Sequence, residues 1–313
     1  MYPAYEDSLV SIVLRTTKKR DVLFLNEAIR SIALNKYRPI EVVLVVQADD
    51  NIFIKKIKQL IDSYQDLKFS INLVVNPTDQ DQRTRNLNLG IDRAKGRYLG
   101  FLDDDDIFYE NHILDLIYPL SQSEHIAWSY GDVILVSCSM DDSNKIIRKT
   151  YGISYGKVFD LEDFFRGNFI PIHAYLIDRA RVDSDLLKFD ETFALAEDYA
   201  FLLRLAVNYQ PCYVKELVSE YRIFKDLSNS TLIINDLFKI PDRSKIKAWS
   251  KALWQIEVLK ERLLPAYTSG LFSQKLRKYF FYHFPDVKIF LQYKLPALRR
   301  FLIDIFHGLG FMD

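Results

Sequence analysis

The sequence predicts an open, mostly parallel α/β sheet flanked by helices, with a helical C-terminal extension. In the first third of the chain, short runs of apolar, β-branched residues alternate with segments whose apolar residues recur at helical spacing. From about residue 240 the strand pattern stops, and helical spacing rich in aromatic and basic residues continues to residue 313. Sheets built from alternating strands and helices bind their ligands beyond the carboxyl ends of the strands.

The N-terminal units predict four strands and three helices. The strands are expected at residues 9–14, 40–46, 69–75 and 98–102. Helical spacing of apolar residues covers 25–32 and 54–61, and a third helix is expected at 83–94, where Gly96 provides a natural stop. The second strand is almost continuously apolar, which is typical of a strand buried on both faces of a parallel sheet.

The middle of the chain is less regular. We expect a helix near residues 111–120, strands at 133–136, 174–177 and 218–222, and a helix at 198–207. These shorter and more scattered signals predict that the sheet continues beyond its parallel part.

Composition and charge exclude several classes of protein. Lys plus Arg and Asp plus Glu each number 42, so the net charge is zero. A protein that binds the phosphate backbone of nucleic acids through an overall positive charge is therefore not expected. Two cysteines, Cys138 and Cys212, are too few for a disulfide framework or a four-cysteine zinc site. The acidic N-terminus does not resemble a signal peptide, and no apolar run reaches the roughly 18 residues of a membrane span. We therefore expect a cytoplasmic protein.

The strongest chemical signal is the run Asp103-Asp104-Asp105-Asp106, directly after the fourth predicted strand. Two carboxylates about 5 Å apart repel by roughly 3 kcal/mol at an effective dielectric constant of 20. Water, raised pKa values or a cation must offset this repulsion, and oxygen ligands at this density suit Mg²⁺ or Mn²⁺. The alternative is a solvated acidic turn that stabilises the following helix through its dipole. We favour the metal site.

Several motifs accompany the acidic run. They are Arg83-x-x-x-x-Asn88-x-Gly90, Ala94-x-Gly96-x-Tyr98-x-x-Phe101-Leu102 directly before the run, His112, Val10–Leu14, Ala28–Val43, and Phe189–Ala206 with Glu197-Asp198. Together they resemble the motifs of the family 2 glycosyltransferases, whose GT-A fold is an open, Rossmann-like mixed sheet. The resemblance covers about residues 8–222. An isolated Asp-x-Asp motif is a weak signal, whereas this ordered set of motifs is specific.

The resemblance implies a metal-dependent, inverting transfer of a sugar from a nucleoside-diphosphate sugar to a hydroxyl of a glycan or lipid-linked glycan. It implies that Asp105 is the main ligand of Mn²⁺ or Mg²⁺, that Asp106 supports it, and that Asp103 contacts the metal or the donor ribose. The metal neutralises charge on the leaving diphosphate. Asp198 falls at the position of the general base, and Glu197 orients that base or binds the acceptor. The alternative for Asp198 is the N-cap of its helix. A Gln-x-x-Arg-Trp signature of processive enzymes is absent from the sequence, which favours a single addition.

Further residues are expected around the donor and the acceptor. The donor-binding candidates are Thr16, Gln47, Arg83, Asn88, Asp104, Arg222 and Lys225, and the acceptor-binding candidates are Gly167, Asn168 and His173. Many relatives carry an Asp that reads the donor base near the end of the second strand, where this chain has Gln47, whose amide could bond a base edge. Some relatives carry a His where this chain has Phe224, so Arg222 or Lys225 is expected to supply the charge. Lys18, Lys19 and Arg20 could add affinity for phosphate, but we favour their interpretation as a solvated charge run.

The resemblance also predicts the organisation of the chain. Residues 1–106 are expected to bind the nucleotide sugar and residues 107–239 the acceptor, as two halves of one GT-A domain, and residues 240–313 form the helical extension. From Gly270 onward, basic residues outnumber acidic ones by seven to three, among many aromatic residues. We favour packing of these helices on the catalytic domain or on a second subunit. The alternative is contact with an anionic membrane surface, which would place the protein at the inner face of the membrane.

Two other classes of protein remain open on the sequence. One is a non-catalytic protein of the same fold that binds a nucleotide sugar or a glycan. The observation that favours it is Gln47, which stands where many relatives carry the Asp that reads the donor base. The other is an Asp-rich phosphotransfer enzyme. A nucleotidyltransferase would show a Gly-rich loop after the first strand, but residues 9–20 contain no glycine. A phosphatase would place its nucleophilic Asp after the first strand, whereas the acidic run follows the fourth. Turnover of a nucleotide sugar separates an enzyme from a binding protein.

Overall fold

The computed structural model describes residues 8–64, 69–141, 146–224 and 243–264. These residues form nine strands and seven α-helices. The strands are β1 (Val10–Thr17), β2 (Ile40–Gln47), β3 (Ser70–Asn76), β4 (Tyr98–Asp103), β5 (Ile107–Phe108), β6 (Trp128–Met140), β7 (Ile146–Tyr155), β8 (Tyr175–Asp178) and β9 (Cys212–Phe224). The helices are α1 (Val22–Ala33), α2 (Asn51–Asp62), α3 (Arg83–Arg93), α4 (His112–Gln122), α5 (Leu161–Arg166), α6 (Glu197–Asn208) and α7 (Arg243–Leu263).

The described strands join one mixed sheet in the order β3-β2-β1-β4-β8-β6-β9-β5, with β7 paired to β6. β1 pairs in parallel with both β2 and β4, and β2 pairs in parallel with β3. β8 is antiparallel to β4 and to β6, whereas β6 and β9 are parallel. The strand order reverses beside β1, so the carboxyl ends of β1, β2 and β4 open on one edge where such sheets bind ligands. The predicted α/β sheet is confirmed.

Every strand predicted from the sequence is present, but three elements were missed. β5 has two residues and α5 has six, which is too short for a periodic pattern to register. β7 was missed because its sequence does not alternate between apolar and polar residues as a half-buried strand does. Among the described strands it pairs with β6, its Ile147 and Ile153 are exposed, and it contains a glycine at position 152.

The main core lies between the sheet and helices α1, α2 and α4. β1 contributes Val10, Ile12 and Leu14 to it, because alternate residues of a strand face the same side of a sheet. On the opposite side, α3 approaches β1 closely at Gly90. Phe101, Phe189 and Phe201 pack together further along, with Phe189 and Phe201 stacked at 4.3 Å between ring centroids. Both faces of the parallel strands are therefore buried, as their apolar sequences predict.

Gly90 is a packing requirement of this architecture. A Cβ atom at Gly90 would lie 2.3 Å from Cγ1 of Val13 on β1, and Val13 is fully buried. We expect Gly90→Ala to lower the free energy of unfolding by about 1–2 kcal/mol. Over-packing a core costs about 1–3 kcal/mol, the close approach to Val13 favours the upper half of that range, and the helix-propensity gain of alanine returns about 1 kcal/mol. Urea denaturation measures the change.

Gly167→Ala is the matched control for Gly90→Ala. A Cβ atom at Gly167 would meet no atom within 4 Å, and φ of −176° is extended backbone that alanine adopts freely. We expect Gly167→Ala to unfold as the wild type does. An unfolding free energy of Gly90→Ala equal to that of the wild type would show that α3 does not pack on β1 as described.

The described residues fall into two compact units. The larger contains the sheet, with residues up to Ala194 and from Phe201 to Phe224, and the smaller contains Leu195–Ala200 and α7. The boundaries predicted at residues 106 and 239 stay predictions. Lys225 and the basic, aromatic segment from Gly270 onward lie outside the described residues. Within the described ranges, no helix combines the length and apolarity needed to cross a bilayer.

Candidate active site

The four consecutive aspartates lie at the carboxyl edge of the parallel strands. Asp103 is the last residue of β4, Asp104 and Asp105 form a turn, and Asp106 immediately precedes β5. Asp103, Asp105 and Asp106 each offer a carboxylate oxygen, and these oxygens lie within 4.8 Å of one another. The structure therefore brings together the three residues predicted to hold a metal.

Asp103 is clamped by an arginine that the sequence analysis missed. β1 and β4 are parallel with Arg15 directly opposite Asp103. Arg15 Nε lies 2.5 Å from Asp103 Oδ1, and Arg15 Nη2 lies 2.9 Å from Oδ2, which is a bidentate pair. Burial opposes ionisation of Asp103, but the Arg15 guanidinium outweighs it and lowers the pKa of Asp103. This carboxylate is thus charged and fixed in orientation.

Asp104 and Asp105 are less well compensated. The Thr16 hydroxyl donates to Asp104 Oδ2 over 2.5 Å, and burial raises the pKa of Asp104 to about 6. Arg20 Nη2 lies 2.6 Å from Asp105 Oδ2. Burial and the neighbouring Asp106 nevertheless raise the pKa of Asp105 well above its ordinary value. The cluster carries more negative charge than its protein partners offset.

Asp106 is oriented by a backbone hydrogen bond from β9 and lies against His173. β5 pairs with β9, and this pairing places the backbone N–H of Arg222 2.8 Å from Asp106 Oδ1. His173, in a 3₁₀ turn before β8, has Nδ1 3.0 Å from Asp106 Oδ2, a close contact without hydrogen-bond geometry. Both side chains of this pair are almost fully buried. His173, expected on the acceptor side, therefore lies against the carboxylate cluster.

The cluster fits a hard divalent cation. Its ligand set is three carboxylates, and all-oxygen sets of this kind favour Mg²⁺ or Mn²⁺ over Zn²⁺ or copper. Burial and the neighbouring Asp106 raise the pKa of Asp105 when only protein groups surround it. A nearby positive charge favours the ionised carboxylate that a metal needs.

His112, which also belongs to the resembling motifs, has a supporting position. Its ring stacks on Phe108 at 3.6 Å between centroids, and Nδ1 lies 3.1 Å from the Val218 carbonyl oxygen. Burial lowers the pKa of His112 to about 3, so the ring is neutral and Nδ1 carries the proton that the carbonyl accepts. His112 thus ties α4 to β9, next to the β5–β9 pairing that orients Asp106.

Gln47 is part of an internal amide network at the ends of β2 and β3. Its Nε2 donates to the Gln80 carbonyl over 2.6 Å, and its Oε1 accepts from Gln82 N and Asn86 Nδ2. Asn76 donates to the side chains of Gln82 and Asn86. Three of the four hydrogen-bonding positions of the Gln47 amide therefore serve this network. Its expected contact with the donor base stays a prediction.

Two candidates on α3 also have protein partners. Arg83 Nη2 pairs with Asp81 Oδ2 at 2.6 Å. Asn88 Oδ1 accepts from Phe189 N over 2.9 Å, and its Nδ2 donates to the Phe189 carbonyl over 3.0 Å. Asn88 thereby holds α3 to a segment about a hundred residues away in sequence. The backbone of Arg83 is linked to the aspartate cluster, because its carbonyl oxygen accepts a hydrogen bond from Nη1 of Arg15, the partner of Asp103.

Arg222 contributes its backbone rather than its guanidinium to the cluster. Its side chain is buried, with Nη1 2.5 Å from Glu27 Oε2 and Nε 3.0 Å from Glu220 Oε2. The expectation that its charge serves the donor stays a prediction, because the guanidinium already has two carboxylate partners. The alternative supplier of that charge, Lys225, lies outside the described residues.

The acceptor-side candidates Gly167 and Asn168 follow α5. Asn168 Oδ1 accepts from Ile170 N over 3.0 Å and closes a short turn. Phe169, within that turn, joins an aromatic cluster with Phe164 and Tyr130. The turn is thus anchored by aromatic packing, and its acceptor-binding role stays a prediction.

The segment that carries Asp198 belongs to the smaller unit. Ala196 has φ of 58°, a left-handed conformation that costs a non-glycine residue roughly 1–2 kcal/mol. α6 begins at Glu197, so Asp198 lies in its first turn rather than at the N-cap. In the same unit, Lys260 Nζ lies 3.0 Å from Glu257 Oε1 and 5.2 Å from the centroid of the Tyr199 ring. Strained backbone of this kind is often found at functional sites.

Arg20 contradicts the interpretation of residues 18–20 as a solvated charge run. Lys18 pairs with Asp49 and both are exposed, as expected, and Lys19 is exposed. Arg20 instead points at Asp105.

The contact of Arg15 with the acidic run could have been predicted only from the order of the strands. An arginine near the end of β1 meets the acidic run only if β1 and β4 are neighbours.

Comparisons with known proteins agree with this fold. Residues 11–158 match the model of the glycosyl transferase family 2. An uncharacterized glycosyltransferase of Methanocaldococcus jannaschii is 24% identical over 216 residues, which are 69% of this chain and 71% of that protein. An uncharacterized glycosyltransferase of Haemophilus influenzae is 27% identical over 195 residues, which are 62% of this chain and 70% of that protein.

Two solved structures share the fold. TarS of S. aureus superposes with a TM-score of 0.54 and 15% identity over 87% of this chain, which spans 43% of the TarS chain. The mannosyltransferase PcManGT of Pyrobaculum calidifontis, in complex with GDP-Man and Mn²⁺, superposes with a TM-score of 0.53 and 14% identity, over 96% of this chain and 80% of that chain. These comparisons support the assignment of the chain to the family 2 glycosyltransferases of the GT-A fold.

Proposed function

We propose that this glycosyltransferase moves one sugar, with inversion, from a nucleoside-diphosphate sugar to a hydroxyl of a glycan or lipid-linked glycan, and that it requires Mn²⁺ or Mg²⁺. The observation that supports this proposal most strongly is the three-carboxylate cluster at the carboxyl end of β4, within the region that matches the family 2 model. The structures of PcManGT with GDP-Man and Mn²⁺, and of residues 1–349 of TarS with UDP-GlcNAc, support a nucleotide-sugar donor.

In this proposal Asp103, Asp105 and Asp106 hold the cation. When bound, it neutralises negative charge that develops on the leaving diphosphate. Arg15 keeps Asp103 ionised and fixed, and the Thr16 hydroxyl orients Asp104. The chain thus holds its ligand oxygens in place before the donor arrives, which lowers the reorganisation needed during the reaction.

We propose Asp198 as the general base. The acceptor oxygen bonds to the anomeric carbon as the bond from that carbon to the diphosphate oxygen breaks, and the acceptor proton passes to Asp198. Attack opposite the leaving group inverts the anomeric configuration. A position in the first turn of α6 stabilises the ionised carboxylate that a base requires. Glu197 is proposed to orient Asp198 or the acceptor.

The remaining sequence candidates keep their proposed roles around the two substrates. They are Thr16, Gln47, Arg83, Asn88, Asp104, Arg222 and Lys225 for the donor, and Gly167, Asn168 and His173 for the acceptor. For His173, its contact with Asp106 supports a role in holding the cation site as well.

The direct test is turnover. The full chain is incubated with UDP-, GDP-, CDP- and dTDP-sugars in Mn²⁺, and the released nucleoside diphosphate is measured. We expect release from donors of one nucleotide class and loss of release in EDTA. Binding of a nucleotide sugar without any release, with or without glycan acceptors, would instead support a non-catalytic binding protein, which the internal bonding of Gln47 makes the second candidate.

A further inference from the structure

Arg20 places a guanidinium against the carboxylate cluster. It ends the turn after β1, where its backbone N–H donates to the Thr17 carbonyl over 3.0 Å. The next residue, Asp21, caps α1. The backbone of Arg20 is therefore anchored on both sides, while its guanidinium reaches Asp105 Oδ2 at 2.6 Å and Asp104 Oδ1 at 3.9 Å.

The Arg20 bond occupies one of the two oxygens of Asp105 and competes there with a metal ion. A guanidinium nitrogen 2.6 Å from Asp105 Oδ2 takes space in front of that oxygen, which a Mg²⁺ ion bound to it at about 2.0–2.1 Å would also need. Both partners are cations, so they also repel each other. Arg20 is 26% exposed, which gives its guanidinium a route away from the cluster without moving the core.

Arg15 provides the contrast. Its guanidinium makes two bonds to Asp103 and a third to the Arg83 carbonyl, and its side chain is 14% exposed. Arg20 makes one short bond to one carboxylate and a long contact to another. One arginine is thus built into the cluster, and the other is held by a single replaceable bond.

Resting on the proposed function, we propose that Arg20 is a place-holding cation that the metal displaces from Asp105, and that the released guanidinium binds the donor diphosphate. A released Arg20 stays tethered at the turn beside the cluster. The anion brought there by a metal-bound donor is a diphosphate, and the planar fork of arginine matches phosphate oxygens in a bidentate manner. Arg20 would then help to select donors that carry a diphosphate.

The test has two binding titrations on the full chain at one pH. First, Mn²⁺ alone is titrated calorimetrically into wild type, Arg20→Gln, Arg20→Lys and Lys19→Gln. Lys19 is exposed on the same turn, so Lys19→Gln removes the same charge without touching the cluster. We expect Arg20→Gln to bind Mn²⁺ about tenfold more tightly than wild type, because a competing charge at contact distance is removed. Lys19→Gln is expected to match wild type.

In saturating Mn²⁺, the second titration uses the nucleoside diphosphate that wild type binds best among UDP, GDP, CDP and dTDP. Arg20→Gln is expected to bind it at least about tenfold more weakly, the order expected for a lost charge-assisted hydrogen bond. Arg20→Lys keeps the charge and is expected to fall between Arg20→Gln and wild type. Melting temperatures near that of wild type check that each variant is folded.

The outcomes separate this inference from the proposed function. Mn²⁺ affinity of Arg20→Gln equal to or below that of wild type would refute the place-holding role. Nucleotide affinity of Arg20→Gln equal to that of Lys19→Gln would refute the phosphate role. If wild type itself binds no nucleoside diphosphate in Mn²⁺, the proposed function fails, and the place-holding role is still decided by the Mn²⁺ titration.

Discussion

Asp198→Asn is expected to lower the rate of sugar transfer by about a thousandfold while leaving nucleotide binding unchanged. The asparagine side chain has nearly the same shape but cannot take the acceptor proton, and general base catalysis contributes roughly 10²–10⁴-fold. The measurement is kcat for transfer beside the dissociation constant of the nucleoside diphosphate. This split between rate and binding distinguishes a lost base from a damaged donor site.

Asp185→Asn controls for the change of charge. Asp185 is an exposed aspartate in a short 3₁₀ turn of the larger unit, and no role in either substrate site is proposed for it. We expect its transfer rate to match that of wild type. Transfer by Asp198→Asn at a rate within a few-fold of wild type would remove Asp198 from the mechanism and leave the donor site unaffected.

Asp105→Ala is expected to abolish metal-dependent donor binding. Mutating a residue that only orients a metal ligand lowers metal affinity by about 10–100-fold. Removing a direct ligand should lower the affinity by at least that factor. The substitution also leaves Arg20 without its short bond. Mn²⁺ titration by calorimetry measures the loss, and the transfer rate at fixed Mn²⁺ concentration should fall with it.

Two further variants make the Asp105 result interpretable. Asp105→Asn keeps the shape of the side chain and removes its charge, so it should follow Asp105→Ala in Mn²⁺ affinity. Glu110→Gln removes an exposed carboxylate that pairs with Lys36, and it should bind Mn²⁺ as wild type does. Wild-type Mn²⁺ affinity in Asp105→Ala would show that the three-carboxylate cluster is not the metal site.

The parallel half of the sheet could be predicted because its signals are local. Each strand is a run of apolar, β-branched residues, and each intervening helix has apolar residues at helical spacing. The acidic run after β4 was equally visible, since its position after a buried strand is read directly from the sequence. The structure confirms these elements, and it brings Asp103, Asp105 and Asp106 together as expected.

The partners of the carboxylates could not be predicted, because each depends on pairing between distant segments. Arg15 meets Asp103 only through the parallel register of β1 and β4, 88 residues apart. The backbone N–H of Arg222 meets Asp106 only because the two-residue strand β5 pairs with β9. Arg20 looked like one more charge in a basic run, since local sequence does not record which side chain turns inward.

The amide of Gln47 shows the same limit in another form. Its place after β2 suggested a contact with the donor base, and the sequence offered no sign of the Asn76, Gln82 and Asn86 side chains that join it. Buried amides are usually satisfied by protein partners. A network of this kind is assembled from the ends of two strands and the start of α3, and it is visible only once those elements are placed.

The measurement that tests the central claim most directly is calorimetric titration of the full chain with UDP, GDP, CDP and dTDP, in Mn²⁺ and in EDTA. Wild type and Asp105→Ala are compared side by side. We predict that wild type binds one of these nucleotides in Mn²⁺ only, and that Asp105→Ala binds none of them. Nucleotide binding that survives EDTA, or that is equal in both proteins, would contradict a metal-dependent donor site at the aspartate cluster.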